Sequence, residues 1–304
     1  MPWDRFRRPK TGKADGRGLF SGRAGGAPAQ ALALVQRGQE LERALEVRNA
    51  VKVYEELNAL VPNNSQYLSM LSKTWSDTCY LDELKEKKEQ LSSDQKREAN
   101  IRAAELARQA MEADPRDSLP HVACCISLGR LAIFSDNKTK VKLASEARQE
   151  AVTALEKDPT SDLAHHLMGR WHWEMAQLNV VVRALVRMMY GTALSPGTHA
   201  EALASYQRAV ELNPNRLVHH VELGRCHAKL GNKEEARREL ELALLLDVED
   251  INSRLQKDDA ELILKDLRRS MRGWTLPNMD AAMEALMAAK QPGQPMAGGA
   301  AGTA

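Results

Sequence analysis

Aromatic side chains are scarce in this 304-residue chain: tryptophan, tyrosine and phenylalanine together make up 4% of it. Sheet cores draw on aromatic and β-branched residues, and this composition does not supply them. The chain is instead rich in Ala, Leu, Glu, Lys and Arg, which favour helix. Cysteine is also sparse. Cys79, Cys124, Cys125 and Cys226 include no CxxC pair, and a chain of this length needs no disulfide framework. Reduced thiols in an intracellular protein are the simplest reading. No run of about 18 apolar residues is present, so no transmembrane helix is expected. The first residues hold no apolar core segment, so no secretory signal is expected either. The net charge is only +2, which gives no global basic field for a nucleic-acid partner.

Familiar catalytic signatures are missing too. GRGLFSG at residues 16–22 contains glycines, but no strand precedes them, so it is not a dinucleotide fingerprint. There is no GxxxxGK[ST] loop, and no Ser, His and acid stand in a recognisable hydrolase context. The chain reads as a binding protein without a cofactor, not as an enzyme.

What is present is a repeat. Pro62, Pro115, Pro159 and Pro214 follow helical stretches, and twelve residues before each stands an alanine: Ala50, Ala103, Ala147 and Ala202. Eight before stand Tyr54, Ala107, Ala151 and Tyr206; five before stand Leu57, Ala110, Ala154 and Ala209. In a last unit Val248 takes the proline's place, with Ala236, Leu240 and Ala243 at the same offsets. A small residue is needed where the second helix of a pair meets the first, and proline then stops that helix. The segment LVHHVELGRCHAKLGNKEEARRELELALLLDV is one complete 34-residue unit of the tetratricopeptide kind. Gly224 sits mid-way along its first helix, and Gly231-Asn232 supplies the left-handed conformation that ends it. Gly169, Ala202, Tyr206, Ala209, Gly224, Ala236 and Ala243 are therefore the expected repeat-packing positions.

The proline spacings are 53, 44 and 55, then 34 to Val248, so three units carry insertions of about 19, 10 and 21 residues beyond the 34-residue period. The first, roughly Tyr80–Arg97, contains LDELKEKKEQL and reads as a charged helix extension. The second spans roughly Ser135–Lys142. The third, roughly Leu178–Thr198, is apolar and helical in period. After the last unit, Asp250–Arg272 reads as a capping helix whose Leu262, Leu264 and Leu267 cover the end of the stack. Met279–Lys290 is a candidate short final helix.

The expected architecture is all-α: a tetratricopeptide-like right-handed superhelix of five helix pairs over residues 30–272, with insertions and a C-terminal cap. Residues 1–29 carry seven basic and two acidic side chains, a net +5, and read as a disordered arm. An inert tail, a basic arm for an acidic partner and an organelle-targeting peptide are the three readings of that arm. Residues 273–304 read as a short helix and a disordered tail.

His165, His166 and His172, with His219, His220 and His227, suggest metal clusters at first sight. However, His165/His172 and His220/His227 hold equivalent places in two repeats, where the consensus puts packing aromatics. His121, Cys124 and Cys125 lack an evident fourth ligand. No metal site is assigned. Trp171 and Trp173 read as helix-packing aromatics in preference to ligand-stacking ones.

AHHLMGRWHWEMAQL, the apolar segment containing Arg183, then Pro196, Thr198, Ala202, Tyr206, Ala209 and Pro214-Asn215, and finally LGRCHAKLGNKEEARRELELAL together resemble the regulator of microtubule dynamics family. The resemblance runs from about Ala99 to Leu267, and LMGRW with the following insertion is its most specific part. It implies an insertion-bearing tetratricopeptide domain associated with microtubules and spindle. It also implies, for some members, a lipid-binding groove at mitochondrial contact sites. Residues 1–29 hold no membrane anchor of the kind those mitochondrial members carry, and no tether role is expected. Three readings stand: a microtubule-associated regulator, a generic adaptor or co-chaperone for protein tails, and a lipid-binding or transfer module using Val180–Tyr190. The expected location is cytoplasmic and cytoskeleton-associated, with organelle targeting by the arm left open. The residues expected to meet a partner are Arg5, Arg7, Arg8 and Lys10 in the arm, Arg183 and Arg187 in the third insertion, and Lys265, Arg268, Arg269 and Arg272 in the cap.

Val180, Val181, Leu185, Met188 and Met189 make the third insertion too apolar to stand in water as a loop. A helix over Asn179–Tyr190 folded into the superhelix, either filling its concave groove or lining a pocket there, with Arg183 and Arg187 at the rim, is the expected arrangement. Hydrogen exchange on the free protein should be slow through residues 180–190, and rapid exchange there would contradict it.

Overall fold

The computed structural model describes residues 29–84, 89–178, 188 and 197–270. Among them the regular elements are helices: α1 (Ala29–Arg43), α2 (Val47–Leu60), α3 (Ser65–Asp77), α4 (Ser93–Ala113), α5 (Leu119–Ile133), α6 (Asn137–Lys157), α7 (Asp162–Gln177), α8 (His199–Leu212), α9 (Leu217–Leu230), α10 (Lys233–Leu245) and α11 (Ile251–Ser270). A short 3-10 helix, Thr78–Glu83, follows α3. Odd-numbered helices from α1 to α9 pack on the even-numbered helix that follows, giving five pairs, and α11 packs on α9 and α10. Successive first helices α3, α5 and α7 also touch, so they form the inner wall of a tetratricopeptide-like superhelix. The basic arm, most of the third insertion and the segment after Ser270 lie outside the described residues. With them go Arg5, Arg7, Arg8, Lys10, Arg183, Arg187, Arg272, GRGLFSG and Met279–Lys290.

The alanine and proline pattern maps onto this arrangement directly. Ala50, Ala103, Ala147, Ala202 and Ala236 are all buried on second helices. The positions four and seven residues further on are buried as well, from Tyr54 and Leu57 to Leu240 and Ala243. Just before Pro62, Pro115, Pro159 and Pro214, the backbone N–H of Val61, Asp114, Asp158 and Asn213 donates to the carbonyl of Leu57, Ala110, Ala154 and Ala209. The helix thus closes its last turn before the proline arrives.

Side-chain volumes trade across each pair. A Cβ on Gly169 would lie 2.8 Å from the Tyr206 ring, and one on Gly38 would clash with the Tyr54 ring. A Cβ on Gly224 would lie 2.7 Å from Leu240. Where the second helix carries Ala107 or Ala151 at the matching place, no such glycine is demanded, and Gly129 meets nothing within 4 Å. Gly231 closes α9 at φ 85°, in the left-handed region.

The insertions are accommodated in two ways. In the first, the described part of LDELKEKKEQL is not an α-helical extension. Leu81, Asp82 and Glu83 belong to the 3-10 helix, and α4 starts only at Ser93. The reason is a capping box: the Ser92 hydroxyl accepts from the Gln95 N–H, and the Gln95 side chain accepts from the Ser92 N–H, which fixes the start there. Residues of the second insertion from Asn137 onward are absorbed as extra N-terminal turns of the 21-residue α6, capped by Asp136.

The cap differs from the sequence expectation at one residue. Leu264 and Leu267 are buried against Leu217, Val221, Ala236 and Leu240. Leu262, by contrast, is 60% exposed, because the 3.6-residue period turns it away from the face that Ala260, Leu264 and Leu267 share. The other end of α11 travels further than a cap needs to. Ile251 is fully buried among Val47, Leu81 and Leu84 of the first two repeats.

A buried charge cluster holds that crossing in place. The Lys73 ammonium lies 2.8 Å from Glu42, 2.9 Å from Asp77 and 2.7 Å from Asp250. Asp77 also accepts from Arg130 at 2.7 Å and from Asn252 at 2.8 Å. Burial alone would pull the Lys73 pKa down, but Asp250, Asp77 and Glu42 outweigh it and hold it well above the ordinary lysine value. Three carboxylates face two cations, Lys73 and Arg130. The uncompensated charge falls on Glu42, whose carboxyl burial pushes up in spite of Lys73. Tyr54 donates its hydroxyl proton to Glu42 at 2.9 Å.

Two glycine substitutions separate these packing effects. Gly129→Ala should stabilise the protein by about 0.5–1 kcal/mol, because glycine in an open helix interior costs that much. Gly169→Ala should destabilise it, since Tyr206 must move. Ala236→Phe should cost roughly 1–3 kcal/mol by overpacking. Urea melts measure all three, and equal effects from the two glycine changes would contradict the volume exchange.

Candidate partner-binding surfaces

Of the cations picked out in the sequence, Lys265, Arg268 and Arg269 are exposed on the last turns of α11. Arg269 pairs with Asp266 at 3.4 Å, with both side chains more than two-thirds exposed. Such a pair is weak and screened by salt, so its guanidinium stays available to a competitor.

The histidines are structural partners within and between repeats. His165 Nε2 lies 3.0 Å from the Pro159 carbonyl, and His220 Nε2 lies 2.8 Å from that of Pro214. These are equivalent contacts six residues after each proline. His219 is fully buried between α7 and α9. Its Nε2 lies 3.0 Å from Asp162 and its Nδ1 lies 3.0 Å from Nδ1 of His166. The carboxylate can only accept, so Nε2 of His219 carries the proton and its Nδ1 accepts from His166. Burial, with Arg216 adding to it, pushes the His219 pKa down to about 4 despite Asp162. Burial and the neighbouring His219, Arg170 and Arg216 hold His166 well below its ordinary value. The chain of contacts fastens α7 to α9 with neutral imidazoles.

His121 is turned to Glu150 at 2.6 Å, and Cys124 and Cys125 are buried in the core. Burial pushes the Cys124 thiol up to about 12, which disfavours the thiolate that metal binding requires. Among the described residues no group of three or more His, Cys, Asp or Glu side chains could hold a metal ion. Trp171 is buried, with the Arg148 guanidinium 4.9 Å from its ring centre. Trp173 packs edge-on against His199 at 5.0 Å and also faces a recess.

That recess, of about 280 Å³, opens between the 3-10 helix, α7, α9 and α11. Tyr80, Trp173 and Leu255 form apolar walls. Behind them Glu222 is 1% exposed and accepts from Arg170 at 3.3 Å, Arg225 at 3.2 Å and Gln256 at 2.9 Å. Arg170 also pairs with Glu174, and Arg225 with Asp259. Except for Trp173, sequence reading missed this set. Glu222 is a carboxylate flanked by Val221 and Leu223, and Arg170 and Arg225 each follow the glycine of their repeat, in LMGRW and LGRC.

A family model described as Regulator of microtubule dynamics protein 1-3 matches residues 30–268. The chain is 26% identical over 245 residues to Regulator of microtubule dynamics protein 3 of Bos taurus, covering 79% of this chain and 50% of that protein. It is 25% identical over 205 residues to Regulator of microtubule dynamics protein 1 of Caenorhabditis elegans, covering 67% of this chain and 88% of that protein. The chain therefore spans about half the length of the mammalian relatives, and most of the nematode one. Among solved structures, a thermophilic TPR protein of Thermus thermophilus superposes with a TM-score of 0.51 at 16% identity, over 76% of this chain and 99% of that one. This last likeness shows the fold alone.

The neutral histidines set a pH dependence. Folding lowers both histidine pKa values, so the unfolded chain binds more protons from about pH 6.5 down to about 4, and stability falls as pH drops through that window. His219 alone should lose roughly 3 kcal/mol across that window, at about 1.4 kcal/mol per unit of pKa shift, and His166 adds to it. His219→Gln keeps a donor for Asp162 but cannot titrate, and should flatten the slope. Urea unfolding at pH 7.5, 6 and 4.5 measures this; an unchanged slope in the variant would contradict it.

Proposed function

The chain belongs to the regulator of microtubule dynamics family, and from that premise we propose that it is a non-enzymatic, microtubule-associated protein whose superhelix serves as the scaffold. The observation that carries this reading is the family match across residues 30–268, which spans all five helix pairs and most of α11. Charge supports it. The arm is net +5 on a chain of +2, and Lys265, Arg268 and Arg269 stand exposed on α11. Tubulin's exposed tails are acidic and flexible, so a basic segment can meet them without exact geometry. Arg5, Arg7, Arg8 and Lys10 would supply long-range attraction, and the α11 cations would add a contact fixed by the fold. A cytoskeleton-associated location follows from the same reading. Among the described residues no helix is long and apolar enough to cross a membrane.

Such binding is mainly attraction between solvated charges. It should weaken steeply as salt shortens the Debye length from its value of about 10 Å at 0.1 M. Each exposed pair contributes only about 0–1 kcal/mol, so the affinity should be modest and spread over several cations. Co-sedimentation with intact and tail-stripped microtubules tests this at low and moderate salt. The full chain should pellet with intact microtubules at low salt. Joint replacement of Arg5, Arg7, Arg8 and Lys10 by Gln, or of Arg268 and Arg269 by Glu, should each reduce pelleting severalfold. If the full chain stays in the supernatant at low salt, the microtubule reading fails.

A further inference from the structure

The recess between the 3-10 helix, α7, α9 and α11 has a polarity opposite to that of the α11 surface. Its guanidinium groups, Arg170 and Arg225, are already bound, to Glu174, Glu222 and Asp259. An anion entering the recess would have to strip them from Glu222, which is 1% exposed. It would then leave a buried carboxylate unpaired, a strongly unfavourable exchange. Acceptors, by contrast, are in surplus. Glu83 lines the recess, is exposed, and makes no hydrogen bond or ion pair among the described residues. Partial burial together with Asp82 and Asp259 raises its pKa, and Lys96, which is held 2.7 Å from Asp82, and Arg130 offset this only in part. Gln256 points its amide nitrogen at Glu222, and its Oε1 is buried without a partner. Among the described residues, the two guanidinium groups that line the recess face four carboxylates: Glu83, Glu174, Glu222 and Asp259.

We propose that this recess binds a lysine or arginine side chain presented by a basic segment of a protein partner. The cationic head reaches Glu83 and Asp259 at the rim. The aliphatic stem lies along Trp173, Leu255 and Tyr80, as long cationic side chains do on apolar surface. Trp173 adds cation–π attraction. At about 280 Å³ the recess is at or below the small end of ligand pockets, suited to one side chain rather than a whole cofactor. The assignment does not rest on the microtubule reading. Acidic tubulin tails are drawn to the arm and the α11 cations, whereas this site selects the opposite charge, so the protein could hold two partners at once.

Fluorescence polarisation with the full chain tests the site, using labelled decapeptides of alternating Lys and Gly, Arg and Gly, or Glu and Gly. The Lys and Arg peptides should bind, more weakly as salt rises, and the Glu peptide should not. Glu83→Gln removes one exposed charge that has no partner among the described residues and should leave the fold intact. It should weaken the basic peptides about three- to tenfold, and Glu83→Arg more. Trp173→Leu should weaken them as well. Glu261→Gln, an exposed acid elsewhere on α11, should change nothing. Binding of the Glu peptide as tight as that of the Lys peptide would overturn the assignment. So would no effect of Glu83→Gln, or an equal loss from Glu261→Gln. Glu83→Gln should leave microtubule pelleting unchanged, which separates failure of this site from failure of the microtubule reading.

Discussion

A lysine ammonium buried away from solvent needs carboxylates around it to stay charged, and Lys73 draws them from its own helix and from two elements distant in the chain. Glu42 comes from α1, Asp77 from its own helix α3, and Asp250 from the turn that begins α11. Taking the ions out of water costs several kcal/mol each, so the cluster need not stabilise the fold on balance. It does make alternatives expensive: with α11 docked elsewhere, Lys73 would lose Asp250, its closest partner. The helix that caps the last repeat is therefore also fixed to the first two. Ile251 is buried among Val47, Leu81 and Leu84 as a consequence.

That closure has a functional side. An open solenoid presents a long groove to its partners. Here α11 crosses toward the first repeats and leaves a small recess walled by Tyr80, Trp173 and Leu255. The cationic end of α11 faces out at Lys265, Arg268 and Arg269, while the recess side of the same helix contributes Asn252, Gln256 and Asp259. One helix thus carries two surfaces of different charge, and the buried cluster sets how both are presented.

The parts of the fold legible in the sequence are the parts with a short period. Alanine twelve residues before each proline marked the second helices, because each pair needs a small residue at its own crossing whatever its neighbours do. The Gly169 and Gly224 positions stand opposite Tyr206 and Leu240 within the same pair, so they too could be found by spacing. What depends on distant partners was not legible. The 3-10 helix Thr78–Glu83 interrupts a stretch whose composition favours α-helix, because Leu81 and Leu84 are drawn into contact with Ile251. Hydrophobicity alone groups Leu262 with Leu264 and Leu267, although the helical period separates it from them. Lys73 reads as one lysine among many, since only Asp77 of its three partners is near it in sequence, and the other two stand 31 residues before it and 177 after it. The recess was missed for the same reason: Tyr80 and Asp259 meet only because α11 returns.

Hydrogen exchange on a Lys73→Met variant tests the closure most directly. The substitution removes the buried cation while keeping an unbranched side chain of similar reach on α3. The account predicts faster exchange, by about tenfold or more, at both remote ends of the cluster, in residues 251–256 of α11 and 78–84 of the 3-10 helix. Exchange in α9 and α10 should be little changed. Faster exchange confined to α3, with residues 251–256 and 78–84 as protected as in the unaltered protein, would contradict it.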